Sequence, residues 1–260
     1  MDADESAALP AELFLALCAA PAGVKARNEA LDADLTVLSD IAAAVRDELG
    51  DDASGDDARV FVAVHLVARV AVSLIEGARQ LLPQNVYSAS ALVRQLVEVE
   101  YLAWACGHDP AEAVDWLTSD RDARLRRWSP QRLRQRAEGR FDDQDYWDHC
   151  EAGGHPTPTG ILTLHGPSTE HPELVTMPEV TLYEVTLHAL AITDYISHAV
   201  PSDLSIAAEA QRRAHATTSD WRARDPAASW KSLAHADRLR QAATLLDIAL
   251  DLTEAASSGE

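Results

Sequence analysis

Residues 89–106 read ASALVRQLVEVEYLAWAC, and this stretch decides the fold. Apolar side chains fall on every side of the helix that these residues would form, and no alternation of period two interrupts them. A helix that is apolar all round lies inside a protein rather than on its surface. The sequence therefore predicts an all-α fold with this segment at its centre.

The segments on both sides of this stretch also have helical spacing. Apolar residues recur every three to four positions over 26–49 and nearly fill 59–82. Further helices are predicted over 110–117, 178–199, 202–218 and 226–255. We therefore expect a bundle of seven to nine helices. Residues 1–50 would form an N-terminal helical hairpin that packs on a main helical domain, residues 51–260.

Gly, Pro and His cluster between the central and the C-terminal helices. Residues 152–172 read AGGHPTPTGILTLHGPSTEHP and contain four Gly and four Pro, a composition that cannot continue a regular helix. The sequence therefore predicts one long irregular loop over about 152–177. Long loops of this kind in compact domains are often functional.

The composition excludes several classes of protein. With 47% hydrophobic residues and a net charge of −20, the chain can build a core but as a whole repels nucleic acid and anionic membranes. Its three cysteines form no CxxC motif, and its acidic N-terminus lacks the basic residues of an export signal. The most apolar stretch, residues 60–75, contains His65 and Arg69 and is too short for a membrane span. We expect a cytoplasmic protein with no membrane partner.

The central stretch contains charged residues that cannot all reach water. Arg94 and Glu98 lie four residues apart, so they share one face of the helix and can form an ion pair. One interpretation is a buried structural tie that fixes the register of the helix, at a cost in desolvation. The other interpretation is a functional site.

A second group of polar residues marks the predicted helix 178–199. Four of its side chains fall within one arc of about 120° on the helix surface: Glu184, His188, Asp194 and His198. Di-metal carboxylate bundles need matching motifs on neighbouring helices, and the partners seen in the sequence are Glu98 and Glu100. The main interpretation is that these residues are solvated or satisfied in the core, with no metal or other cofactor. The alternative is a metal site formed by Glu98, Glu184, His188 and His198.

Residues 121–140, RDARLRRWSPQRLRQRAEGR, are basic in an otherwise acidic chain, with eight Arg against one Asp and one Glu. The side chains predicted to bind nucleic acid are Arg124, Arg127, Arg132 and Arg136. Together with Trp128 between them, such a strip can follow a phosphate backbone and stack a base. The alternative is a solvated surface whose charges balance the acidic remainder of the chain.

Two segments carry a resemblance to a known family. Residues 87–102, YSASALVRQLVEVEYL, and residues 146–160, YWDHCEAGGHPTPTG, resemble an uncharacterised family of bacterial all-helical proteins. The matching positions are Arg94, Glu98, Tyr101 and the turn His155-Pro156-Thr157-Pro158. Such proteins are compared with HEPN domains, which are helical ribonucleases and binding modules of toxin and phage-defence systems. The resemblance therefore implies cleavage or binding of RNA.

The sequence departs from HEPN nucleases in one respect. Their signature is an arginine followed, after four to six residues, by a histidine on a late helix, whereas the formal match here, Arg59 to His65, comes early in the chain. RNA cleavage would therefore use other groups. Within the resemblance, His155 would be the general acid or base, Arg94 would hold the phosphate and Glu98 would orient it, with Tyr101 or Tyr146 nearby.

These observations lead to three functional hypotheses. The first is an HEPN-like protein that cleaves or binds RNA in a toxin or defence setting. The second is a non-catalytic helical module that docks a protein partner through the loop and the basic strip. The third is a metal-dependent helical-bundle enzyme. A homodimer through the apolar helix 59–82 is also expected, because aromatic residues make up only 5% of the chain and few are available to close a monomeric core.

Overall fold

The computed structural model describes residues 13–49, 55–158, 160 and 177–231. Every regular element within these ranges is a helix, which confirms the predicted all-α class. In chain order the α-helices are α1 (13–19), α2 (Pro21–Leu49), α3 (Asp56–Leu81), α4 (Val86–His108), α5 (Ala111–Thr118), α6 (Arg121–Arg127), α7 (Pro130–Arg136), α8 (Asp143–His149), α9 (Met177–Ala199), α10 (Ser205–Arg224) and α11 (Pro226–Lys231).

The helix α4, which contains the stretch 89–106, lies at the centre of the bundle as predicted. It packs mainly against α9 and α3, and its buried side chains belong to one continuous apolar core. Gly107 permits the closest approach of α4 to α9, since a Cβ atom there would lie 2.9 Å from the backbone oxygen of Tyr195. The helix α2 completes the core by packing against α3, α9 and α10.

The apolar helix α3 passes the length and composition test for a membrane span over residues 57–81. It also packs against α2, α4, α5 and α9, and Phe61, Val64 and Ile75 are fully buried in the core. The central helix of a soluble bundle passes the same test. Val62, Leu66 and Val70 of the same helix are exposed, and only 39% of its most apolar 18-residue stretch is buried, so one face of α3 belongs to the core and the other does not.

Short polar side chains define where several helices begin. Asn85 accepts a hydrogen bond from the backbone N–H of Ser88, Asp120 from that of Ala123 and Asp142 from that of Gln144. These caps satisfy N–H groups that the first helical turn leaves unpaired. They fix the starts of α4, α6 and α8. Of the four short helices, α5, α7 and α8 pack on α4, and α6 packs on α7.

The predicted loop begins later than the sequence indicates. Residues Cys150–Gly154 continue α8 as a π-helical turn, so residues 152–154 are helical rather than irregular. Gly153 explains this, because a Cβ atom there would lie 2.6 Å from the backbone nitrogen of Ala91. The turn therefore packs directly on α4, which only a residue without a side chain allows.

Three sequence predictions fall wholly or partly outside the described residues. These are most of the loop after residue 160, the domain boundary at residue 50 and the C-terminal helix beyond residue 231. The start of that helix lies where the sequence places it, at Pro226. Asp225 caps it by accepting a hydrogen bond from the backbone N–H of Ala227 at 3.0 Å.

Candidate functional site

The short helix α8 contributes polar and aromatic side chains to two different parts of the candidate site. One of its faces turns toward α9 and presents Asp145 and His149, while Tyr146 points toward α4 and Trp147 toward solvent. Successive residues of a helix are about 100° apart, so one short helix contributes to two different surfaces. The cap at Asp142 and the π-helical turn after His149 hold both of its ends.

Between α8 and α9, four ligand-type side chains converge. The two histidines face each other, with Nε2 of His149 3.2 Å from Nε2 of His188. Oε2 of Glu184 lies 3.9 Å and 3.8 Å from these two nitrogens, and Oδ1 of Asp145 lies 3.7 Å from Nε2 of His149. All four ligand atoms lie within 4.8 Å of one another. We call these four residues the His–carboxylate cluster.

Each helix supplies this cluster with the same local motif. A carboxylate at one position and a histidine four residues later lie on one helix face, as Asp145 and His149 do on α8 and Glu184 and His188 do on α9. The second pair is predicted from the sequence, whereas the first is not. The repeated carboxylate-x3-histidine spacing is the signal that would have found it.

The other residues of the predicted metal set lie elsewhere. Glu98 is paired with Arg94, and His198 is an exposed residue whose imidazole lies 3.9 Å from Asp194. Glu100 instead approaches the cluster from α4, with its Oε2 atom 2.6 Å from Nδ1 of His188. Because a carboxylate oxygen accepts, Nδ1–H of His188 is the donor in this bond, which leaves Nε2 directed at His149.

The two histidines differ in how readily they hold a proton. Burial and the nearby charge of His188 lower the pKa of His149 to about 4. Burial acts in the same direction on His188, but the hydrogen bond to Glu100 and the surrounding carboxylates raise its pKa to about 9. Burial also raises the pKa of Glu184. The cluster therefore favours one positive charge between its carboxylates.

The predicted catalytic residues Arg94 and Glu98 form an ion pair, and Tyr146 of α8 forms hydrogen bonds with both of them. Nη2 of Arg94 donates to Oε1 of Glu98 at 2.7 Å and to the hydroxyl of Tyr146 at 3.0 Å. The tyrosine in turn donates to Oε1 of Glu98 at 3.3 Å. The side chains of Arg94 and Glu98 are 23% and 32% exposed, so the pair is half-buried rather than buried as one sequence interpretation had it.

The other two predicted catalytic residues, Tyr101 and His155, differ in burial. Tyr101 is buried against Phe141, and its hydroxyl has no hydrogen-bond partner in the described part of the chain. His155 is exposed, and its carbonyl oxygen accepts from the hydroxyl of Tyr87 at 3.4 Å. Among the described residues, no hydrogen bond or ion pair joins His155 to Arg94 or Glu98.

Glu112 forms ion pairs with two of the arginines that are predicted from the sequence to bind nucleic acid. Arg127 and Arg136 donate to its Oε1 atom at 2.6 Å and 2.7 Å, and the indole of Trp128 donates to Oε2 at 2.7 Å. Burial alone would raise the pKa of Glu112, but these three donors hold it below the usual value. This buried carboxylate ties α5, α6 and α7 together.

The other two predicted arginines have neutral partners. Arg124 donates to the carbonyl oxygen of Ser119, and Arg132 donates to the side chain of Gln135 at 3.0 Å. In the part of the chain that the structure describes, no carboxylate lies within ion-pair distance of Arg126 or Arg132. The sequence analysis did not single out Arg126.

Two neighbouring depressions share the exposed side chain of Gln135. The first, of about 360 Å³, is lined by Gln135 and four arginines, which are Arg126, Arg127, Arg132 and Arg136. The second is a groove of about 580 Å³ between α7 and α8, where Phe141, Tyr146 and Trp147 supply aromatic surface. Trp147 is 56% exposed, although the other five tryptophans are buried or half-buried. We call the two depressions the basic pocket and the aromatic groove.

Comparison of the chain with protein-family models, with curated proteins and with solved structures returns no match.

Proposed function

We propose that the protein binds single-stranded RNA across the basic pocket and the aromatic groove. The observation that carries this proposal is that the two depressions meet at Gln135, so that four arginines border three aromatic rings. Proteins that bind single strands combine these two features, with cationic groups along the phosphates and aromatic rings under the bases. The expected partner is therefore a nucleic acid with unpaired bases, and the resemblance to HEPN-like proteins favours RNA.

Arg126 and Arg132 would contact phosphate oxygens. Both are exposed, and their charges are not neutralised by a carboxylate in the described residues. The charges of Arg127 and Arg136, in contrast, are partly neutralised by their ion pairs with Glu112. The side chain of Trp147 would stack on a base, because an exposed indole offers a planar surface for any base.

The resemblance to HEPN-like bacterial proteins supports the same class of ligand. It extends the proposal to a protein of a toxin or defence system. The cysteine pattern, and not the resemblance, is what supports a cytoplasmic location for the proposed protein. Cleavage of the bound strand would fall to Arg94, Glu98 and His155, and the hydroxyl of Tyr146 connects the first two of these to the aromatic groove.

Fluorescence anisotropy with a labelled single-stranded RNA tests the binding proposal. We expect the logarithm of the affinity to fall linearly with the logarithm of the salt concentration, by about 0.7 for each phosphate contact. Arg126→Glu combined with Arg132→Glu should weaken binding at low salt and flatten that slope. Arg69→Glu, which makes the same charge change on an exposed residue of α3, is the matched control and should leave the slope unchanged.

Tryptophan fluorescence tests the stacking step separately. RNA should quench part of the emission of the wild-type protein, and Trp147→Ala should remove this quenching and weaken binding about 5- to 150-fold, the range for one stacked base. Absence of RNA binding at about 50 mM salt, where phosphate contacts are strong, would reject the proposal. Equal binding by the arginine variant and the wild type would reject the assigned surface.

A further inference from the structure

We propose that Asp145, His149, Glu184 and His188 bind one divalent first-row transition-metal ion. The site lies on the α9 face of α8, and none of its residues lines the basic pocket or the aromatic groove. The proposal is therefore independent of RNA binding.

The geometry of the four side chains fits this class of ion. Two imidazole nitrogens bound to one tetrahedral zinc ion at 2.0–2.1 Å lie about 3.3 Å apart. Nε2 of His149 and Nε2 of His188 are 3.2 Å apart before any adjustment. Oε2 of Glu184 lies 3.8–3.9 Å from both nitrogens, and Oδ1 of Asp145 lies 3.7 Å from Nε2 of His149. All four ligand atoms lie within 4.8 Å of one another, so movements of the two carboxylate side chains would bring them around one ion.

Glu100 supplies the outer contact that metal-binding histidines require. Its carboxylate accepts the Nδ1–H of His188 at 2.6 Å, which leaves Nε2 directed into the site as the ligand atom once the ion displaces its proton. A carboxylate behind the imidazole also makes Nε2 a stronger ligand. Glu100 is thus a positioning residue that acts through His188.

The charge of the site also calls for a cation. Glu100, Asp145 and Glu184 bring three carboxyl groups together, and no lysine or arginine lies within ion-pair distance of them among the described residues. Glu184 and Glu100 are only 22% and 12% exposed, so water screens them poorly. A divalent ion would offset two of these negative charges.

The donor set indicates the kind of ion and its role. Two imidazoles with two carboxylates suit Zn²⁺, Fe²⁺ or Mn²⁺ better than Ca²⁺ or Mg²⁺, which prefer oxygen ligands alone. Four protein ligands are the number found in closed structural zinc sites. Because two ligands come from α8 and two from α9, the ion would tie the short helix α8 to the core helix α9.

Calorimetric titration of chelator-treated protein with Zn²⁺ tests the site. We expect one ion per chain, a dissociation constant below about 1 μM and a higher melting temperature in the presence of zinc. Co²⁺ in place of Zn²⁺ should give the visible absorption of a four-coordinate ion. His149→Gln and Asp145→Asn should each weaken zinc binding at least about 100-fold, and Glu100→Gln about 10- to 100-fold, the range for an outer-contact partner.

Asp194→Asn with His198→Gln is the matched control. This pair has the same spacing on the same helix, but both side chains are about half exposed, and within the described ranges no third ligand joins them. The control should bind zinc as the wild type does. Asp145 is 45% exposed, so Asp145→Asn carries the test if His149→Gln does not fold.

Two results would overturn the proposal. One is less than about 0.1 equivalent of zinc bound by the wild-type protein at micromolar concentrations, well above the expected dissociation constant. The other is undiminished binding in Asp145→Asn and His149→Gln, which would place the ion on other histidines of the chain. Neither result depends on RNA binding, which uses other residues and a different readout.

Discussion

Arg27 and Asp225 form a fully buried, bidentate ion pair although 198 residues separate them in the sequence. Nε and Nη2 of the arginine donate to the two carboxylate oxygens at 2.7 Å and 3.1 Å. Nη1 donates to the carbonyl oxygens of Cys18 and Glu179, so one side chain connects α2 with three other parts of the chain. Asp225 also accepts from the indole of Trp221 at 2.9 Å.

Loss of Arg27 should destabilise the protein strongly. Arg27→Met leaves Asp225 as a buried, uncompensated carboxylate, which should lower the free energy of unfolding by about 3–5 kcal/mol. Arg224→Met removes an exposed ion pair to Glu29 and Asp220 and should cost less than about 1 kcal/mol. Urea denaturation of both variants measures the difference. Equal effects would show that the buried pair contributes no more than the surface pair.

The buried carboxyl of Asp34 should make stability depend on pH. It is 1% exposed, and burial raises its pKa to about 8 although the neighbouring hydroxyl of Thr193 acts in the opposite direction. The unfolded chain releases this proton near pH 4, whereas the native state keeps it until about pH 8. This group therefore stabilises the fold most at low pH, and its contribution falls as the pH rises from about 4 to 8.

Asp34→Asn should remove that dependence, because the amide does not ionise. We expect the variant to gain on the order of 5 kcal/mol over the wild type at pH 8, with little difference at pH 4. Urea denaturation at several pH values measures both curves. Parallel curves for the two proteins would show that Asp34 ionises alike in the folded and unfolded chains.

The Arg94–Glu98 pair should contribute to the stability of the fold by holding α8 against α4. Arg94→Ala leaves Glu98 and the hydroxyl of Tyr146 without their cation, and it should cost about 1–3 kcal/mol. Arg94→Met with Glu98→Leu replaces the pair by apolar side chains of similar length, so stability and RNA affinity should stay close to those of the wild type.

The same double variant separates structure from catalysis. Thermal denaturation and RNA binding report the structural role, and an RNA cleavage assay reports the catalytic one. His155→Ala is the companion variant, because an exposed histidine should change stability by no more than about 0.5 kcal/mol. A stable double variant that binds RNA but no longer cleaves it would support the catalytic role proposed for Arg94 and Glu98, whereas retained cleavage would reject that role.

Part of the candidate site was predictable from the sequence because its motifs are local. Glu184 and His188, like Arg94 and Glu98, lie four residues apart, and helical geometry alone puts each pair on one face. The sequence also places a basic strip at 121–140. It could not show which arginines remain available, because Glu112 reaches Arg127 and Arg136 across helix boundaries.

The sequence by itself determined the all-α class and the central position of α4, since both follow from the spacing of apolar residues along a single helix. Only the tertiary structure decided which helix faces meet. His149 reaches His188 because the π-helical turn packs through Gly153 on α4, and that contact sets the direction of α8. Spacing along the chain defines the face of each helix, whereas pairing two faces requires the packing of the whole core.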